Sequence, residues 1–285
     1  LRRRRLQRLV SEGLLPPDQA LSERDPQAPA WENKEHQDWE AERMAVYAAQ
    51  VAAMDRAIGT AIAALRQHRL FDDTLVVFLS DNGGCAEYLR EDGEIGRWPE
   101  MYNLPTKTGT RCVVGNNPTR RPGPAETFMS YDLPWANASN TPFRKFKAWT
   151  HEGGISTPFI ACWPHGLPAA AVRHAPAHLI DLAATACALA GAPRQELDGG
   201  DLSPVLRGEQ PEVTRPEPLC WEHFGHAAIR GGDWKLVRAG QQQPWELYNI
   251  ATDRIEQRDR AAERPDLVAR LAADWQRWAD RCGVL

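Results

Sequence analysis

Residues 74–84, Thr74-Leu75-Val76-Val77-Phe78-Leu79-Ser80-Asp81-Asn82-Gly83-Gly84, constrain the fold more than any other stretch of this chain. The run is apolar at odd and even positions alike, as expected of a strand buried on both faces in a parallel sheet. It stops abruptly at Asp81 and Asn82, hard oxygen donors of the kind that hold Ca²⁺ or Mg²⁺. Gly83 and Gly84 then allow a tight turn or a close backbone approach. In open α/β sheets, ligands bind beyond the carboxyl ends of the strands. The stretch thus predicts a fold class and the place of a site. Asp, Asn and Gly are also common wherever a strand becomes a turn, so the dipeptide alone leaves the metal reading open.

The preceding residues fit the same architecture. Tyr47, Val51, Met54, Ile58, Ile62 and Leu65 form one apolar stripe at helical spacing, predicting a helix over 40–69. Helix followed directly by strand is the order of a doubly wound α/β layer. A chain of 285 residues has room for a sizeable core. Its net charge of −4 gives no general attraction to nucleic acid or anionic membrane. The basic run Arg2 to Arg5, with Arg8, reads as a solvated helix face or, alternatively, a nucleic-acid patch. No stretch of about 18 apolar residues exists, so no membrane span is expected. The six cysteines form no CxxC pair, which argues against a zinc knuckle. Cys162 and Cys187 lie in apolar runs and are expected to be buried thiols.

Residues 1–35 read as a short helix and an extended connection, starting mid-helix as a fragment would. Residues 83–140 show little periodicity, and so long a loop is usually functional. A strand is expected within 155–163 and a helix around Leu179, Leu182, Ala186 and Leu189, with Gly191 as its cap. From about Pro211 the pattern changes to four short strands near 219–222, 227–230, 234–237 and 245–248. A last helix follows, carrying Leu267, Leu271, Trp275 and Trp278 on one side, with Pro265 near its start. The expected division is an α/β unit over 1–208, part of a doubly wound mixed sheet flanked by helices. A small antiparallel sheet with a terminal helix takes 209–285.

Several other residues are candidates for chemistry. The Lys147 ammonium is a compact charge able to hold an anionic oxygen or neutralise a leaving group; the alternative is a surface lysine beside Arg144 and Lys145. Glu152, before Gly153-Gly154, is a possible base, but bonding to backbone donors is the better expectation. His151 is a possible proton donor or substrate contact. Of His223 and His226, one is expected to face the cleft; His174 and His178 read as structural. Arg90, Arg97, Arg111, Asn116 and Asn117 are candidates for a substrate rim, and Asn137-Ala138-Ser139 matches a glycosylation sequon.

Taken together, the chain resembles the sulfatase family of the alkaline phosphatase superfamily. The carrying residues are Leu70-Phe71-Asp72-Asp73-Thr74 through Gly84, Lys147 with Glu152-Gly153-Gly154, Met54 to Gly59, His178 to Gly191, and Gly199 to Gly208. The tail Ala228 to Leu236 and Trp245-Glu246-Leu247-Tyr248 looks like the family's carboxyl-terminal subdomain. Trp135-Ala136-Asn137 and Asn140-Thr141-Pro142-Phe143-Arg144 are closest to bacterial arylsulfatases.

By that resemblance Asp81 and Asn82 would ligate Ca²⁺ (Mg²⁺ less so), Asp81 would also help deprotonate the nucleophile, and Lys147 would contact the sulfate and its bridging oxygen. His151 and His223 would be substrate contacts. The substrate would be an aryl or carbohydrate sulfate ester, and the location periplasmic or secreted. The family's nucleophile is a formylglycine made in a Cys/Ser-x-Pro-x-Arg motif, which this sequence lacks. Cys162-Trp163-Pro164-His165-Gly166 comes near but has no Arg. The early Asp pair, the amino-terminal Lys and His, and the histidine general acid are missing too. The expectation is a carboxyl-terminal portion that is inactive alone and binds Ca²⁺ weakly. Rival readings are a phosphodiesterase or phosphonate monoester hydrolase of the same superfamily, and a non-catalytic binding protein that keeps the fold.

Overall fold

The helix and strand signals of the sequence resolve into seven helices and eight strands among the residues described by the computed structural model, 1–90, 105–169, 171–193 and 196–284. Helix α1 (Arg2–Ser11) buries none of its residues, so its arginines form a solvated face. Helix α2 (Gln37–Gln67) has the predicted period but buries only Glu40 and Arg43. Arg43 pairs with Glu40 and, at 3.1 Å, with Asp132. The apolar stripe is only partly covered: Tyr47 stacks on Tyr131 at 4.7 Å, yet Tyr47, Val51 and Met54 remain 37%, 42% and 45% exposed. Periodicity specifies which face is apolar; the described residues provide no full layer against it.

Strand β1 (Val76–Leu79) pairs antiparallel with β4 (Phe159–Cys162), from Val76↔Cys162 to Leu79↔Phe159, and is half-buried throughout. This corrects the expected parallel, fully buried strand. An unbroken apolar run reports apolar surroundings on both faces, not the direction of the neighbour. Direction is decided by the return path, in which Ser80 N–H donates to Pro158 O and Thr157 Oγ1 to Ser80 O. In β4 the side chains alternate, leaving Ile160 and Cys162 exposed. The expectation of a buried Cys162 thiol therefore fails, and Cys187 is only half-buried.

The long aperiodic segment contains structure that its sequence hides. Strands β2 (Val113–Val114) and β3 (Thr127–Phe128) form a short parallel ladder, and α3 spans Asp132–Ser139. Asp132, Ala136, Asn137 and Ala138 of α3 are all buried. With small and polar residues covered on several sides, no amphipathic period exists to read. Asn137 is 2% exposed, and its Oδ1 accepts the Asp25 N–H at 3.4 Å. The sequon is therefore closed to a glycan. Asn116 is likewise buried against Ser130 rather than at a rim, and Arg97 lies outside the described residues.

A single helical turn, α4 (Glu152–Ile155), precedes β4. Helix α5 (Ile180–Leu189) follows, with Gly191 just beyond it at φ +63°, and then α6 (Ser203–Arg207). The last four strands, β5 (Leu219–His223), β6 (His226–Gly231), β7 (Trp234–Ala239) and β8 (Glu246–Asn249), form an antiparallel sheet in sequence order. Helix α7 (Pro265–Cys282) lays Leu267, Leu271, Trp275 and Ala279 onto Ala227, Ile229, Leu236 and Leu247. Each fully buried leucine there contributes about 1.5–3 kcal/mol. The Arg238 guanidinium lies 4.7 and 5.0 Å from the ring centres of Trp245 and Trp275. The sheet's other face, carrying Lys235, Val237 and Tyr248, is buried as well.

Candidate active site

The turn after β1 is locked by backbone contacts that need glycine. Gly83 N–H donates to Gly154 O at 2.9 Å, and Gly84 N–H donates to Asn140 Oδ1 at 2.8 Å. A Cβ on Gly83 would lie 1.8 Å from Gly153 O, and one on Gly84 would lie 2.4 Å from the Tyr131 hydroxyl. Across the turn, Gly153 and Gly154 have no more room: a Cβ would meet Arg144 O at 2.1 Å and Trp149 O at 1.9 Å. Gly83 is thus pressed against the backbone of the second pair, while Gly84, Gly153 and Gly154 are each closed in by other neighbours.

This contact carries Lys147 to the strand end. Its N–H donates to Gly84 O at 3.0 Å, and its Nζ is 3.5 Å from Glu87 Oε1, with the side chain 41% exposed. Lys147 is bracketed by Lys145 (φ +67°) and Ala148 (φ +77°), both in the left-handed region. Side chains avoid that region unless the surroundings enforce it. Asp81, Asn82, Lys147, His174, His178 and His223 all line one open cleft of about 1880 Å³. Within it His178 is structural, since its Nδ1 accepts the Ile180 N–H and its own N–H donates to Asp181. His223 stands at the mouth, its ring 4.2 Å from that of Phe224. His226 turns away and stacks on Trp149 at 4.4 Å; burial first, then His151 and His223, push its pKa down.

Two sequence expectations are corrected. His151, expected at the substrate, is 1% exposed, and its Nε2 lies 3.2 Å from Glu246 Oε2. Glu152, expected to bond backbone donors through its carboxylate, instead holds the Lys235 ammonium at 2.9 Å. The groups that complete this charged layer, Arg144, Lys235, Glu246, Tyr248 and Glu256, were not candidates for chemistry in the sequence, although all but Glu256 lie in the motifs that carry the family resemblance. Lys235 sits in Trp234-Lys235-Leu236-Val237, an alternation that ordinarily points a lysine to water. Here both faces of the sheet are covered, and Lys235 is fully buried.

Burial raises the Glu246 carboxyl pKa, but hydrogen bonds from His151 and Tyr248 and the field of His151 and Arg144 outweigh it, holding the pKa down at about 2. A carboxyl depressed from 4.5 stabilises the fold above pH 4.5, and that contribution is lost as pH falls from 4.5 toward 2. Thermal melting across this window should therefore fall more steeply for the native protein than for Glu246→Gln. Parallel curves would rule this out.

Asp81 and Asn82 have the donor chemistry of cation ligands. Among the described residues, neither side chain takes a hydrogen bond or ion pair, and both line the cleft. They offer two hard oxygens, where Ca²⁺ takes about 6–8. No group of three or more His, Cys, Asp or Glu able to hold a metal occurs among the described residues. The pair fits part of a cation site.

A strand-end Asp-Asn-Gly-Gly turn clamped to a lysine-bearing loop, in a mixed α/β unit followed by an antiparallel sheet and helix, is consistent with an alkaline-phosphatase-like fold. Within that class the sulfatase family model matches residues 15–192, and the chain belongs to the sulfatase family. It is 28% identical to an uncharacterized sulfatase of Schizosaccharomyces pombe, over 100% of this chain and 52% of the relative. It is 33% identical to an arylsulfatase of Klebsiella aerogenes, over 57% of this chain and 32% of the relative. The crystal structure of Ps i-CgsB in complex with k-i-k-neocarrahexaose superposes with a TM-score of 0.57 at 28% identity, covering 82% of this chain and 42% of that one. The chain thus spans about half, or less, of the length of these relatives. No helix among the described residues is long and apolar enough to cross a membrane.

Proposed function

We propose that the protein hydrolyses a sulfate ester of an aryl or carbohydrate alcohol. Asp81 and Asn82 are two ligands of a Ca²⁺ ion, and Lys147 holds the sulfate and the oxygen that bridges it to the alcohol. The observation that carries this reading is the backbone clamp between the Asp81–Gly84 turn and the loop of Lys147, which brings a carboxylate, an amide oxygen and an ammonium to one cleft. Bound Ca²⁺ would screen the sulfate oxygens and make a nearby hydroxyl more acidic.

The chain's own residues then divide the work. The Asp81 carboxylate takes the proton of the attacking hydroxyl. The Lys147 ammonium neutralises charge building on the departing alcohol oxygen. His223, at the mouth, contacts the alcohol portion. These 285 residues hold no Cys/Ser-x-Pro-x-Arg sequence, so the attacking group is assigned to residues outside them, and alone they should release no sulfate. The carbohydrate option draws support from the oligosaccharide in the Ps i-CgsB complex.

The test uses the product of the complete gene with 4-nitrophenyl sulfate, a sulfated oligosaccharide and matching phosphate esters. Sulfate release that stops on chelation and returns with Ca²⁺ better than with Mg²⁺ is expected. Turnover of the phosphate esters alone would replace this reading with a phosphodiesterase.

A further inference from the structure

The loop of residues 144–156 lines the cleft and also packs against the antiparallel sheet. On the cleft side, Lys147 N–H donates to Gly84 O, and Gly154 O accepts from Gly83. On the other side, hydrogen bonds and ion pairs tie the loop to the antiparallel sheet and the segment after it, among them one from the Arg254 guanidinium to Ser156 Oγ at 3.1 Å. The Arg144 guanidinium donates to Glu246 Oε2 at 2.7 Å and to the Tyr248 hydroxyl at 3.2 Å. His151 Nε2 meets the same Glu246 oxygen. Lys235 Nζ donates to Glu152 Oε1 at 2.9 Å, and the Glu152 N–H donates to Glu256 Oε2 at 2.9 Å. Lys235 also bridges to Glu256 Oε1 at 2.9 Å.

We propose that this charged layer, through Lys235 and Glu246, positions the Lys147 ammonium and the Asp81-Asn82 turn. Both are positioning residues, since neither reaches the reacting atoms. The inference rests on the role given to Lys147 above.

Three observations carry it. First, Lys235 and Glu256 are fully buried, and Glu152 nearly so. Charges are costly to take out of water unless partners hold them in fixed places, and such pairs add little net stability, so the role inferred for this layer is to fix geometry. Second, the left-handed residues Lys145 and Ala148 flank Lys147. Such a backbone persists only when its surroundings over-determine it, and the charged contacts at Arg144, His151 and Glu152 lie on either side of it. Third, the route to the turn is short. Glu152 is adjacent to Gly153, whose oxygen presses on Gly83, and Gly154 accepts the Gly83 N–H. A shift of Glu152 has no slack to absorb it, because no side chain lies between these backbones.

The experiment compares Lys235→Met, Lys235→Arg and Glu246→Gln with Lys147→Ala in the complete gene product. Lys235→Met strands two carboxylates and can fail to fold, so Glu246→Gln, at a partly exposed side chain, keeps the test decisive. Amide hydrogen exchange at Gly83 and Lys147 should accelerate by about tenfold or more while the antiparallel sheet stays protected. Hydrolysis of phenyl sulfate, a poor leaving group, should fall by about 10²-fold, and that of 4-nitrophenyl sulfate by much less. Lys147→Ala should show the same leaving-group bias. Unchanged exchange at Gly83 and Lys147, with equal losses on both esters, overturns the positioning role. If instead Lys147→Ala shows no leaving-group bias, the role given to Lys147 falls, while the exchange rates still decide whether the sheet holds the turn.

Discussion

Replacing Gly83 with alanine is expected to destabilise the protein by about 3 kcal/mol or more. The new Cβ would sit 1.8 Å from Gly153 O and 2.9 Å from the Gly153 carbonyl carbon. Ordinary contact begins near 3.4 Å, so one backbone must retreat by more than an ångström. Neither is free to do so. Gly153 N–H donates to Arg144 O at 3.1 Å, and Gly83 N–H is committed to Gly154 O. The melting temperature should drop by about 6–12 °C for a domain of this size. Gly59 is the control: it lies within α2, and a Cβ there meets nothing within 4 Å. Gly59→Ala should therefore stabilise by up to about 1 kcal/mol, the helix-propensity gain. Equal melting curves for the two variants would refute the close-approach account.

Lys147→Ala is expected to lower kcat by about 10²–10³-fold, the loss typical when one charge-stabilising donor is removed from a reacting site. Stability should barely change. The side chain is 41% exposed, and its ion pair with Glu87 is long at 3.5 Å, a class of contact worth less than about 1 kcal/mol. Lys147→Arg should recover only part of the rate, because a planar guanidinium places its charge differently from a compact ammonium. Steady-state kinetics with sulfate esters and a melting curve on the same samples provide the check. An unchanged kcat would remove Lys147 from the reaction.

Much of the site was legible because its signals are local. Asp81-Asn82-Gly83-Gly84 after an apolar run, and Lys147 before Glu152-Gly153-Gly154, marked the two segments that meet. The four terminal strands were read close to their true bounds because Gly-rich turns separate short β-prone runs, and α7 was read from an apolar stripe that survives because one side of the helix is buried. Helix α3 was not read, because burial on several sides erases the period. The Cys162 thiol and the direction of β1 were misread for a related reason: an apolar run describes the surroundings of a strand, not its partner. His151 and Lys235 show the opposite error. A histidine beside the candidate site and a lysine in an alternating strand both look solvent-facing, yet both are buried in one ionic layer.

Residue types and spacing alone determined the α/β class, the strand-end donors at Asp81 and Asn82, the candidate charge at Lys147 and the resemblance to sulfatases. Each of these is carried by side-chain chemistry or by a period within one segment. The tertiary structure decided that the two Gly-Gly pairs touch, that β1 runs antiparallel to β4, and that Lys235, Glu246 and Glu256 lie beneath the loop of Lys147. Those facts depend on how segments about 70 to 110 residues apart are brought together, and no local pattern encodes which buried charge will meet which.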